Sequence, residues 1–81
     1  MTTKNIRSLL RGYIKVVNPR VPVGLPAESD FRYDWHLDSL DLVQFVAHIE
    51  RRFEIMIPDE DLPKLVSLTA TEEYIRARVS S

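Results

Sequence analysis

An apolar pattern of helical period starts at Leu40 and runs unbroken to Phe53. It opens on Asp38 and Ser39, both good helix-capping residues. Asp41 follows in the first turn, where a carboxylate favours the positive end of the helix dipole. The pattern predicts a helix over residues 39–53, with Ser39 at its start and its hydroxyl in reach of solvent. Leu42, Val46, Ile49 and Phe53 make one stripe, and Leu40, Val43 and Ala47 make another beside it. Such a broad apolar surface belongs either at the centre of a bundle or against a ligand or partner.

Ile6, Leu9, Leu10, Tyr13, Ile14 and Val17 fall at helical spacing and predict an earlier helix, capped by Thr2 or Thr3. Asn18-Pro19 ends it, because the residue before a proline is pushed out of the helical region. Lys4, Arg7, Arg11 and Lys15 form a basic stripe on its other face, read first as a solvated surface and second as a contact for an acidic partner or phosphorylated ligand. Residues 18–37 are a long connection containing Pro19, Pro22, Gly24 and Pro26. Phe31, Tyr33, Trp35 and Leu37 alternate there as in a strand, but a lone strand has nothing to pair with. They read instead as anchors that tie the loop across the helices.

Pro58 before Asp59-Glu60-Asp61-Leu62 predicts a short helix with proline at its first position, kept short or irregular by Pro63. A last helix begins near Ser67 to Thr69, with Thr69-Ala70-Thr71-Glu72 as a capping box and Leu68, Tyr74, Ile75 and Val79 as its inner face. The expected fold is all-α: a single domain over residues 1–81, built as a small four-helix bundle with a long loop between helices 1 and 2 and a short third helix.

Eighty-one residues lie near the lower limit for a self-sufficient core. With no cysteine and two histidines, neither a disulfide framework nor a structural zinc site is expected. No apolar run suits a signal peptide or a membrane span, so the expected compartment is the cytoplasm, with no membrane insertion. The net charge of −1 is unevenly spread. Residues 1–20 hold five cations and no acid, whereas the acids cluster around Ser39 and Pro58. A basic partner could dock on that acidic region.

Ser39, His36 and a neighbouring aspartate supply the residue types of a hydrolytic triad. There is no Gly-x-Ser-x-Gly elbow and no glycine-rich oxyanion loop, however, and a bundle this small has little room for an enclosed active site. His48 and Glu50 lack the His-Glu-x-x-His spacing of a metal helix, so no metal site is expected and His48 reads as a helix-surface residue. His36 reads as closing the loop or capping locally. Nucleic-acid binding is not expected, because the basic stripe stands without an aromatic platform or recognition helix. A serine at a helix start suits covalent attachment of a phosphodiester, since helix N-terminal amides attract negative charge. Taken alone, though, most such serines are only caps.

The wider pattern resembles a known family. Asp38-Ser39-Leu40 is similar to the Asp-Ser-Leu attachment motif of acyl carrier proteins. Phe31, Asp34 and Trp35 stand where that family has Phe, an acid and Leu. Arg52-Phe53-Glu54-Ile55-Met56-Ile57-Pro58-Asp59-Glu60 resembles its acid-Phe-x-x-x-Ile-Pro-Asp-Glu segment, and Tyr74-Ile75 matches the Tyr-Ile of its final helix. The resemblance implies a non-catalytic carrier bearing 4′-phosphopantetheine on Ser39, flanked by Asp38 and Leu40. A phosphopantetheinyl transferase would supply the arm from coenzyme A, Ser39 oxygen attacking phosphorus with Mg²⁺ in support. Acyl-loading and acyl-processing enzymes would be the further partners. The arm's thiol would hold acyl groups as thioesters for fatty-acid, lipid or polyketide synthesis.

Leu42, Val46, Leu62 and Leu68 would line the acyl pocket. Asp38, Asp41, Leu42, Gln44 and Glu50 would meet partners, and the chain would act as a monomer. Two alternatives stand beside this: an aminoacyl or peptidyl carrier, and an unmodified interaction module of the same fold. The departures from the family are His36 for its usual glycine, Trp35 for its leucine, Gln44, Arg51 and Arg52 on the second helix, and the basic first helix. They point to a specialised carrier.

Overall fold

The computed structural model describes residues 3–22 and 24–79. In chain order it contains α1 (Thr3–Val17), α2 (Ser39–Phe53), a 3-10 helix (Asp59–Lys64) and α3 (Leu68–Val79), with no strand among the described residues. Both other long helices pack on α1. The predicted all-α bundle with a long first loop and a short third helix is what forms. The Thr2 or Thr3 cap and the side chain of Lys4 lie outside the described residues and side chains.

The core follows the helical stripes. Ile6, Leu10 and Ile14 of α1, Ile49 of α2, and Leu68 and Ile75 of α3 are all fully buried. Phe45 is fully buried too, although it was not among the expected stripe residues. It lies one turn from Leu42 and Ile49 and extends the same face.

The long connection lies down on the bundle rather than projecting from it. The Cα radius of gyration is 11.6 Å, what a compact chain of this length should have, about 12 Å. Phe31, Trp35 and Leu37 anchor the connection as expected, but Tyr33 is 82% exposed and anchors nothing. The reason is that residues 30–35 form a turn, not an extended run. Asp30 Oδ1 accepts the amides of Arg32 and Tyr33, and the Asp30 carbonyl accepts those of Asp34 and Trp35. In a helix-like turn residues 31 and 35 share a side and 33 faces away. His36 then adopts a left-handed conformation (φ 58°), and the Leu37 amide returns to the Phe31 carbonyl. Further back, the Phe31 amide bonds to the Val66 carbonyl and the Thr69 amide to the Ala27 carbonyl, which fastens the connection to the entry of α3.

Three finer expectations are corrected. Pro58 is the residue before the 3-10 helix rather than its first position, and Pro63 sits inside that helix. The cap of α3 is Ser67, whose Oγ accepts the Ala70 amide, while Thr69 Oγ1 is buried and bonded to no described group. Glu72 does not close a capping box. Its carboxylate is buried against the Arg7 guanidinium, with Nε at 2.6 Å, and ties α3 to α1. Val79 is half exposed rather than part of the inner face, because α3 outruns the core at its last turn.

Candidate functional site

The helix turn that presents Ser39 is fixed mainly by residues close to it in sequence. Asp38 is the N-cap of α2, and its Oδ1 accepts the Asp41 amide at 2.8 Å. Asp41 answers, its Oδ2 accepting the Asp38 amide at 3.3 Å and the Asn18 side chain at 3.3 Å. The reciprocal pair is a capping box built from two aspartates, and Asn18 links it to the end of α1. Ser39 is the first helical residue and is exposed. Leu40 beside it is 64% exposed. His36 and Ser39 are both exposed, and no hydrogen bond joins them among the described residues. No described group of three or more His, Asp or Glu residues could hold a metal ion.

A groove of about 490 Å³ opens beside the serine, and Ser39 itself lines it. Leu42 and Val46 of α2 and Leu62 of the 3-10 helix form its walls. Phe31 and Phe45 lie at its inner side, packed edge to face with ring centroids 5.4 Å apart. Leu68 is buried in the core without lining the groove. Phe31 and Phe45 were not named as groove residues from the sequence; the helical spacing of Phe45 with Leu42 and Ile49 was the available signal. Of the acids expected to meet partners, Asp38 and Asp41 serve the capping box, and Glu50 Oε2 accepts the Ile57 amide at 2.9 Å. Gln44 is exposed.

The 3-10 helix that forms one edge of the groove is held to α3 by a polar cluster. Asp61, 7% exposed, accepts the Tyr74 hydroxyl at 2.6 Å and Arg78 Nη2 at 2.9 Å, with Lys64 Nζ 3.1 Å away. The Tyr74 hydrogen bond, then Lys64, holds the Asp61 carboxyl below the usual carboxylate range. Burial, then the same hydrogen bond, raises the Tyr74 phenol. On the first helix, His48 of α2 stacks on Tyr13 with ring centroids 5.1 Å apart. Arg7 and Arg11 of the basic stripe are engaged with Glu72 and with the Trp35 ring.

Residues 5–75 match the family described as "Phosphopantetheine attachment site". The chain is 39% identical over 70 residues to a mitochondrial acyl carrier protein of Neurospora crassa, covering 86% of this chain and 50% of that relative. It is 41% identical over 54 residues to an acyl carrier protein of Campylobacter concisus, covering 67% of this chain and 70% of the relative. It thus spans half the length of the first relative and more of the second. A solved acyl carrier protein from Enterococcus faecalis superposes with a TM-score of 0.69 at 25% identity, covering 99% of this chain and 98% of that one. No described helix is long and apolar enough to cross a membrane. A capped helix start, an exposed serine beside an apolar groove, and these likenesses place the chain in the phosphopantetheine-attachment family, among the acyl carrier proteins, which are non-catalytic carriers.

Proposed function

We propose that Ser39 is the attachment point of the 4′-phosphopantetheine arm and that the adjoining groove receives the acyl cargo. One observation carries this reading: the exposed serine at the start of α2 is itself part of the groove's lining. The local chemistry suits the group. The positive end of α2 favours a phosphodiester anion, and Asp38 fixes the first turn that presents Ser39 Oγ. When bound, the arm supplies the thiol that a chain without cysteine lacks, and that thiol carries acyl groups as thioesters. Leu42, Val46 and Leu62 offer the cargo an apolar wall and exclude water from it, with Leu68 supporting them from the core.

Partner enzymes meet the outer face of α2. Asp38, Asp41 and Glu50 spend hydrogen-bonding capacity inside the chain, so Leu40, Val43, Gln44 and Arg51 supply much of what that face offers. A phosphopantetheinyl transferase and acyl-loading and acyl-processing enzymes of a dedicated pathway are the partners. Residues 1–81 act as one carrier domain, monomeric and cytoplasmic.

The test is intact mass before and after incubation with coenzyme A, Mg²⁺ and a broad-specificity phosphopantetheinyl transferase, comparing wild type with Ser39→Ala. A single phosphopantetheinyl increment on wild type alone is expected. An increment that survives Ser39→Ala, or none on folded wild type with several transferases, would sink the assignment.

A further inference from the structure

A second groove, of about 270 Å³, shares no lining residue with the first. Arg11, Gly12 and Lys15 of α1 face Val21, Pro22 and Gly24 of the long connection across it, and Trp35 completes the lining. Three features here run against local stability. Gly12 sits in the middle of α1, where only proline is a poorer helix former. Packing does not require it, because a Cβ at Gly12 would meet no described atom within 4 Å, and its φ is not positive. Arg11 and Lys15 are like charges one turn apart, which destabilises a helix. Trp35 Nε1 is buried and bonded to no described acceptor, with the Arg11 guanidinium 5.7 Å from the ring centroid. Local rules broken together in one place mark a surface kept for binding rather than for the fold.

Size and charge choose the occupant. The groove falls short of the roughly 300–1,000 Å³ of small-molecule pockets, yet it can take one large side chain, as the pockets that seat interface anchors do. Among the described residues its lining is apolar apart from Arg11 and Lys15, both cationic, and includes no carboxylate. Lys15 Nζ donates to the Pro19 carbonyl at 2.9 Å and keeps further N–H groups for an incoming acceptor. Arg20, next in the chain to the groove residue Val21, adds a further cation on this side. We propose that this groove docks a partner protein through one aromatic side chain flanked by carboxylates. The ring lies against Gly12 and Trp35, and the carboxylates face Arg11 and Lys15. The proposal does not depend on modification of Ser39.

The chain has two glycines and one tryptophan, and all three line this groove. Their two amides and one indole N–H are ready-made NMR reporters. The probe is a blocked pentapeptide with phenylalanine between two pairs of glutamates, titrated into the ¹⁵N-labelled full chain. All three reporters should shift saturably. Affinity should fall at least tenfold when the glutamates become glutamines, and likewise in Arg11→Gln/Lys15→Gln, or in Lys15→Gln alone if the double variant is unfolded. Gly12→Ala should raise Tm by about 2–8 °C while weakening the peptide at least tenfold. A merely structural glycine would not give that combination of firmer fold and poorer binding. Unmoved reporters, equal affinity for the glutamine peptide, or wild-type binding by Gly12→Ala would overturn the proposal. Phenylacetate matching the peptide's affinity would overturn it in favour of a small carboxylic acid as ligand.

Discussion

The two grooves of this small bundle are built on opposite terms. Beside Ser39, the cap and the groove walls obey their local rules: an aspartate caps the helix, leucine and valine line the wall, and paired phenylalanines back it. Along α1 a glycine breaks the helical preference and like charges neighbour each other, and facing it an indole N–H has no acceptor among the described residues. The first groove is made by the interactions that hold the fold together. The second is tolerated by them. Changes in the first should therefore cost stability, whereas Gly12→Ala in the second should add it.

The largest effect belongs to the aromatic backing. Phe45→Ala removes a fully buried ring packed on Phe31 and should cost about 3–5 kcal/mol in urea unfolding. A loss under about 1 kcal/mol would mean that the site collapses easily and that the contrast between the grooves is overstated. Asp38→Ala comes next. Losing the N-cap of α2 should cost about 1 kcal/mol, with faster amide exchange confined to the first turn. Exchange that quickened equally in α1 would show that the cap is not a local device.

The gentlest probe is pH. The Asp61 carboxyl is depressed in the folded chain, so the stability it contributes is present above its unfolded pKa, about 4, and is lost as pH falls through the folded value. The Tyr74 phenol is raised, so its contribution holds below its unfolded pKa, about 10, and is lost as pH rises towards the folded value. Tm should fall at both ends, and Tyr74→Phe should flatten the alkaline limb. An unchanged alkaline limb in that variant would remove Tyr74 as its cause.

Where the sequence was informative, the governing interactions were short-range. The bounds of α2 were legible because Asp38, Ser39 and Asp41 set its start and an apolar stripe carries it to Phe53. The irregular third helix was legible because Pro63 forbids a regular one. Tyr33 misled because alternation in sequence becomes alternation in space only in an extended chain, and the Asp30 turn is not extended. The Thr69 box misled because Glu72 had a stronger claimant 65 residues away in Arg7. The second groove was not legible at all. Its walls come from α1, the connection and Trp35, and only folding brings them together.

The aspartate box at the start of α2 has a consequence for how long the chain persists. Any negative charge added on Ser39 lies at the positive end of a helix already fixed by its cap, and such placement contributes about 0.3–1 kcal/mol. Local opening of that turn would become roughly two- to fivefold rarer, and with it the exposure that a protease needs. A chain charged on Ser39 would then outlive an uncharged one, and the pool would enrich in modified molecules without any separate step of quality control.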